Sequence, residues 1–127
     1  MAMESQQAGN TLLVRFAGEL DLVAAAEFKR VADDLLDRRK ARNILINLER
    51  ASFLDSSFLG ALLGRFRRVS QTGGHMGLVR VPSPVRPTLE LSGIFRTMPE
   101  YSSEAEALSA MESLLQGDSR TGSDRGN

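Results

Sequence analysis

Residues 43–60 read NILINLERASFLDSSFLG, and the pattern of apolar residues changes within this stretch. Asn43 to Leu48 form a nearly continuous apolar run, which is typical of a strand buried on both faces by helices. After it the apolar residues recur at helical spacing, at Leu59, Leu62, Leu63, Phe66 and Val69. The stretch therefore predicts a central strand that leads directly into a helix, as in parallel α/β sheets.

The alternation of strand and helix continues on both sides of this stretch. Thr11 to Phe16 has the two-residue period of a strand, and Gly9-Asn10 before it can turn a hairpin back onto residues 3–8. The next predicted element is a helix from Val23 to Arg39, capped by Asp21, and the central helix should end at 72–74. After it we predict a strand from Met76 to Val81, a short helix between Ser83 and Gly93, and a brief strand from Arg96 to Met98. The last helix begins with the capping box Ser103 and Glu106, and its buried stripe is Ala107, Leu108, Met111, Leu114 and Leu115.

These elements predict one α/β domain over residues 1–116. Its β-sheet is expected to be mixed but mainly parallel, with four to five strands flanked by about four helices, because helical crossovers join parallel strands. Residues 117–127, GDSRTGSDRGN, have almost nothing to bury. We predict that they form a disordered tail.

Composition excludes several classes of function. The 127 residues include sixteen basic and sixteen acidic side chains and no cysteine. Zero net charge disfavours nucleic-acid binding, and the lack of thiols excludes disulfides, thiolate nucleophiles and cysteine metal sites. No apolar run approaches the ~20 residues of a membrane span, and the N-terminus lacks the pattern of a signal peptide. We expect a cytoplasmic protein with no metal, no cofactor and no membrane contact.

Asp55, Ser56 and Ser57 fall at the cap and first turn of the central helix. Backbone N–H groups lack partners at that position and the helix dipole favours negative charge, so capping alone explains the carboxylate. A second hydroxyl adds little to a cap. A phosphate on a first-turn serine would be accommodated by the same N–H groups. The residues therefore permit a phosphorylation switch without requiring one.

The alternative is that one of the serines is the nucleophile of a serine hydrolase, and the sequence disfavours it. The only histidine is His75, in TGGHMG, and LDSSFLG has no glycine two residues before either serine, as G-x-S-x-G requires. We therefore expect no catalytic residues and no enzymatic activity. The basic residues Arg65, Arg67 and Arg68 lie one to three turns from the serines, where they either meet an acidic partner or are simply solvated.

Four separated blocks resemble the STAS domains of bacterial anti-sigma factor antagonists, of the SpoIIAA/RsbV type. They are FAGELD at 16–21, LINLERASFLDSS at 45–57, LGALLGRFRRVSQTGGHM at 59–76 and LELSGIF at 89–95. The blocks occur in the family's order, and the resemblance covers about residues 8–116. It implies a small protein, a monomer or weak dimer, that acts by binding.

The resemblance also implies the partners and the site. An unphosphorylated antagonist binds an anti-sigma factor and so releases a sigma factor; the anti-sigma factor doubles as a serine kinase, and a serine phosphatase reverses the modification. The acceptor corresponds to Ser56, with Ser57 as the alternative. Glu19 and Asp21 fall in a loop that borders the same surface, and we place Asp55 and Arg65 there as well. The alternative function is a STAS scaffold subunit in a larger signalling assembly of the stressosome kind.

Phe58 departs from the family pattern, which has glycine after the two serines. From ~100° per residue, its side chain is expected ~80° from the centre of the helix's apolar stripe, at the flank of the helix. It then either packs against the loop around Phe53 and completes the core, or forms an aromatic anchor for the partner. The partner-binding prediction includes Phe58 on the second interpretation.

Overall fold

A computed structural model of the chain describes residues 1–124. Its five strands form one sheet in chain order, and its helices follow the strands. The elements are β1 (Ala2–Ala8), β2 (Thr11–Leu20), α1 (Leu22–Asp37), β3 (Asn43–Leu54), α2 (Ser56–Gln71), β4 (Met76–Val79), α3 (Arg86–Ser92), a short 3₁₀ turn (Ile94–Arg96), β5 (Glu100–Tyr101) and α4 (Glu104–Asp124).

The predicted fold class is confirmed. β1 and β2 form the expected hairpin through Gly9-Asn10, while β2, β3, β4 and β5 are mutually parallel neighbours. Because each parallel crossover is right-handed and the strands follow one another in order, α1, α2 and α3 lie on the same face. The core on that face contains the buried apolar residues of all three helices.

The last helix covers the opposite face of the sheet. A second, smaller core lies there between α4 and the three central strands, and consists of Leu13, Leu45, Val79, Ala107 and Met111. The Glu106 N–H donates to Ser103 Oγ at 3.1 Å, which confirms one half of the predicted capping box, but the Glu106 carboxylate accepts from the Ser102 hydroxyl instead. Leu114, predicted to be buried, is 43% exposed.

The strand predicted at Arg96 to Met98 is wrong. Gly93 has a left-handed backbone (φ +79°) that ends α3, and the chain continues as the 3₁₀ turn before β5 begins at Glu100. The Pro99 carbonyl accepts from the Leu78 N–H at 3.0 Å, so pairing with β4 starts only at the proline. Since proline has no N–H of its own, the ladder is short.

The central helix ends at Gln71 with Thr72 as its C-cap, as the glycines after it predicted. Gly73 has φ +79°, and a Cβ on Gly74 would lie 1.8 Å from the carbonyl oxygen of Arg42. A side chain at residue 74 has no space because the backbone that leads into β3 passes there. At the C-terminus, α4 continues beyond the predicted domain boundary at residue 116 as far as Asp124. The boundary and the disorder of 117–127 stay predictions, and 125–127 lie outside the described residues.

Candidate functional site

The carboxyl ends of β2 and β3 bring the two predicted site segments together. Leu20 pairs with Leu54 and Glu19 with Phe53 in the parallel ladder, and the Asp55 N–H donates to the Leu20 carbonyl at 3.1 Å. This edge is where α/β sheets commonly place binding sites. Glu19 is the penultimate residue of β2 rather than part of a loop, and its side chain is exposed.

Two aspartates cap the two helices that start at this edge. Asp55 Oδ1 accepts from the Phe58 N–H at 3.0 Å at the start of α2. Asp21 Oδ1 accepts from the N–H groups of Val23 and Ala24, each at 3.1 Å, at the start of α1. Both carboxylates therefore stabilise helix N-termini and also place two negative charges at one end of the domain.

The two serines differ in exposure. Ser56 is the first residue of α2 and is exposed, whereas Ser57 is half-buried. Among the described residues neither hydroxyl has a hydrogen-bonding partner, so neither is required for capping. Ser56 is thus the more accessible acceptor for a group transferred from another protein.

Exposed apolar side chains surround this edge, and sequence reasoning missed them. Leu22 is 67% exposed, Val23 69% and Phe53 49%. Leu22 and Val23 directly follow the cap Asp21, before the helix begins to face the core. Phe53 points outward from the end of β3, between the buried Ala51 and Leu54. We call Leu22, Val23 and Phe53 the apolar rim; exposed apolar side chains at the edge of a sheet where sites are commonly placed offer contact area to a protein partner.

Phe58 is not part of the surface, which corrects the predicted partner contact. Its side chain is 0% exposed. The ring lies edge-on to Phe16, with centroids 5.0 Å apart and planes at 87°, and 5.8 Å from the ring of Phe28. These three rings join β2, α1 and α2 directly behind Ser56. Phe58 therefore completes the core, as the first of its two interpretations stated, and is not an anchor for the partner.

Arg65 also lies inside the domain instead of at a partner surface. Its side chain is only 13% exposed, and Nε lies 3.1 Å from Asp33 Oδ1 on α1 without meeting the angle of a hydrogen bond. Arg68 Nη1 donates to the same oxygen at 3.0 Å, and Arg68 Nη2 to Asp37 at 2.7 Å. The two arginines consequently hold α2 against α1. Arg67, between them, is exposed.

The structure separates His75 from the serines. The His75 carbonyl accepts from Ile44 and its N–H donates to Asn43 Oδ1, so the residue lies beside the first residues of β3. Ser56 comes two positions after Leu54, the last residue of that strand, which has 12 residues and a length on the order of 35 Å. This separation excludes a Ser56–His75 pair, because a general base must lie within hydrogen-bonding distance of its nucleophile.

A polar network holds the last helix against the sheet. Arg15 on β2 donates from Nε and Nη2 to the two carboxylate oxygens of Glu104, each at 2.7 Å. Asn47 Nδ2 on β3 donates to the same carboxylate at 2.7 Å. The hydrogen bond from Arg15 is the main reason that the pKa of Glu104 lies below its ordinary value of 4.5; partial burial opposes this.

We predict that Glu104→Gln lowers the free energy of unfolding by ~1 kcal/mol at pH 7, a modest loss because the pair is partly solvated. The folded pKa lies below the unfolded one, so this stabilisation is complete above about pH 4.5 and is lost as the pH falls through the folded pKa. Urea unfolding should show that the difference in unfolding free energy between the two proteins shrinks as the pH is lowered below about 4.5. Glu106→Gln is the control and should change little at either pH; a gap for Glu104→Gln that is independent of pH would contradict the assignment.

Residues 1–124 contain neither a membrane-spanning helix nor a group of metal-binding side chains. Within residues 1–124, no helix has both the length and the apolar character to cross a bilayer. In that region no three histidine or carboxylate side chains come close enough together to hold a metal ion.

Comparison with known proteins agrees with this architecture. The STAS domain family matches residues 2–107. An anti-sigma F factor antagonist from Paenibacillus polymyxa is 36% identical over 112 residues, covering 88% of this chain and 96% of the relative. The unphosphorylated anti-sigma factor antagonist SpoIIAA superposes with a TM-score of 0.80 at 28% identity, covering 88% of this chain and 97% of that one. The phosphorylated form of Bacillus SpoIIAA gives 0.73 at 28% identity, covering 86% and 98%.

The matched region includes both segments at the carboxyl edge of the sheet, FAGELD and the Asp55 turn. It also includes all five strands and the start of α4, so the similarity extends over the fold as a whole. The resemblance to anti-sigma factor antagonists that the four blocks suggested is confirmed, and the chain belongs to the STAS domain family.

Proposed function

We propose that the protein is an anti-sigma factor antagonist controlled by phosphorylation of Ser56. In its unmodified form it binds an anti-sigma factor in the cytoplasm and so frees a sigma factor. The bound anti-sigma factor is also a serine kinase that phosphorylates Ser56 and weakens the complex, and a serine phosphatase restores binding. The protein acts through this contact and catalyses no reaction of its own.

The observation that supports this function most directly is the setting of Ser56. It is an exposed hydroxyl without a hydrogen-bonding partner, on the first turn of α2, next to the Asp55 cap and at the same edge as the apolar rim. An apolar rim supplies contact area for a protein partner, and a serine at such a position changes the charge of the contact when it is modified. The names of the similar proteins identify the class of partner.

The test is phosphate transfer from the cognate anti-sigma kinase. With ATP, the wild-type chain should accept one phosphate, Ser56→Ala should accept none, and Ser57→Ala should accept it as the wild type does. Ser56→Ala should still bind the kinase, because the exposed hydroxyl makes no hydrogen bond within the fold. Mass spectrometry that located the phosphate on Ser57, or in residues 117–127, would disprove the assignment.

A further inference from the structure

The sheet has one long open edge. β1 is the first strand of the sheet and pairs along all seven of its residues with β2, in regular antiparallel register from Ala2–Ala17 to Ala8–Thr11. No strand of the described chain lies on its other side. An unpaired edge presents a row of free N–H and C=O groups that can bind another strand.

The hairpin turn determines which groups point outward. Gly9 and Asn10 are the two turn residues, and of these only Gly9 has a positive φ, +59°, as in the two-residue turns that match strand twist. Ala8 and Thr11 flank the turn and form its hydrogen-bonded pair. Because bonded and non-bonded pairs alternate in antiparallel ladders, the N–H and C=O groups of Met3, Ser5 and Gln7 point away from β2.

β1 lacks the features by which edge strands usually prevent association. It has no proline, no lysine and no bulge, and its sequence AMESQQA contains one charge, Glu4. Arg15 pairs with that carboxylate and donates to Gln6 Oε1 at 3.3 Å, so the charge is partly compensated within the hairpin, although the same guanidinium also binds Glu104. The opposite edge is protected: β5 has two residues and follows Pro99. The two edges of the sheet therefore differ in their capacity to pair.

We infer that β1 pairs with the β1 strand of a second copy of the chain, in antiparallel orientation, to form one continuous ten-stranded sheet. With the two-fold axis at Ser5, Met3 faces Gln7 of the second copy and Ser5 faces its equivalent. All three outward-pointing residues then lie in bonded pairs, which gives about six hydrogen bonds. Glu4 faces an uncharged partner, Gln6 of the second copy. Because the same strand supplies both sides, a second copy satisfies the edge without further residues.

The register can be tested because the chain contains no cysteine. In the dimer, Ser5→Cys places two thiols on a bonded pair with Cα atoms ~5.5 Å apart, within disulfide range. Gln6→Cys is the matched control: it faces Glu4 of the second copy, and the two cysteines lie diagonally ~7 to 8 Å apart, too far to bridge. Under mild oxidation, Ser5→Cys should give a covalent dimer and Gln6→Cys should not. Equal cross-linking of both, or none of either, would overturn the pairing.

Sedimentation of the full chain gives an independent test. Between ~10 µM and ~1 mM, the range of weak protein contacts, the mass should rise from 13.9 kDa toward twice that value. Ser5→Pro removes an outward N–H, which an edge strand tolerates, and should leave the melting temperature unchanged while the protein stays monomeric. A wild-type chain that is monomeric throughout, or a dimer that persists in folded Ser5→Pro, would contradict the inference. If Ser5→Pro does not fold, the comparison of disulfide formation in Ser5→Cys and Gln6→Cys tests the inference by itself.

Discussion

Replacement of Phe58 by alanine is expected to lower the free energy of unfolding by ~3 to 5 kcal/mol, a large part of the stability of a domain of this size. The side chain is completely buried, and its ring contacts Phe16 and Phe28. Truncation removes apolar contact on three elements at once and leaves a cavity behind the first turn of α2. Chemical unfolding of the purified variant measures the loss.

Phe53→Ala is the matched control for this prediction, since the same ring is removed from a side chain that is 49% exposed. Its effect on stability should be well below that of Phe58→Ala. Phe58→Leu keeps most of the apolar volume, so its loss in unfolding free energy should lie between those of Phe58→Ala and Phe53→Ala. If Phe58→Ala unfolded at the same denaturant concentration as wild type, the three-ring cluster would not contribute to the core as described.

Small residues explain why the direction of Phe58 was mispredicted. The apolar stripe from which the direction of the Phe58 side chain was predicted contains Leu59, Leu63 and Phe66, which are only partly buried. The fully buried residues of α2 are Phe58, Ala61, Leu62 and Val69, and they define a face rotated toward Phe58. Alanine is a weak signal in an apolar pattern, yet its size lets two helices approach closely. The helix was therefore predictable and its rotation was not.

The two capping aspartates of the site were predictable because helix capping depends on residues that are close together in sequence. Asp21 and Asp55 precede helices by the spacing that capping requires, and both act as caps. Arg65 shows the limit of this reasoning. Whether a basic residue on a helix flank faces solvent depends on the neighbouring helix, and the partner of Arg65, Asp33, lies on a different helix. The apolar rim depends likewise on which ends of strands and helices meet.

Phosphorylation of Ser56 is expected to weaken anti-sigma factor binding tenfold to hundredfold, or ~1 to 3 kcal/mol. The phosphate adds ~1.5 to 2 negative charges beside Asp55 and Asp21, within a contact that would otherwise bury the apolar rim. The fold should tolerate it, because the N-terminus of α2 favours negative charge. The melting temperature should therefore stay constant while affinity falls, which distinguishes a change of surface charge from unfolding.

Ser56→Asp carries part of this charge and should reduce affinity by about tenfold, measured by calorimetry with the purified anti-sigma factor. Ser109→Asp is the control, since it adds the same charge to an exposed serine on α4, across the sheet from the site. Because exposed charges are screened by salt, added salt should partly restore binding by Ser56→Asp if repulsion is the cause. A variant that bound as tightly as wild type, while Ser57→Asp failed to bind, would move the switch to the neighbouring serine.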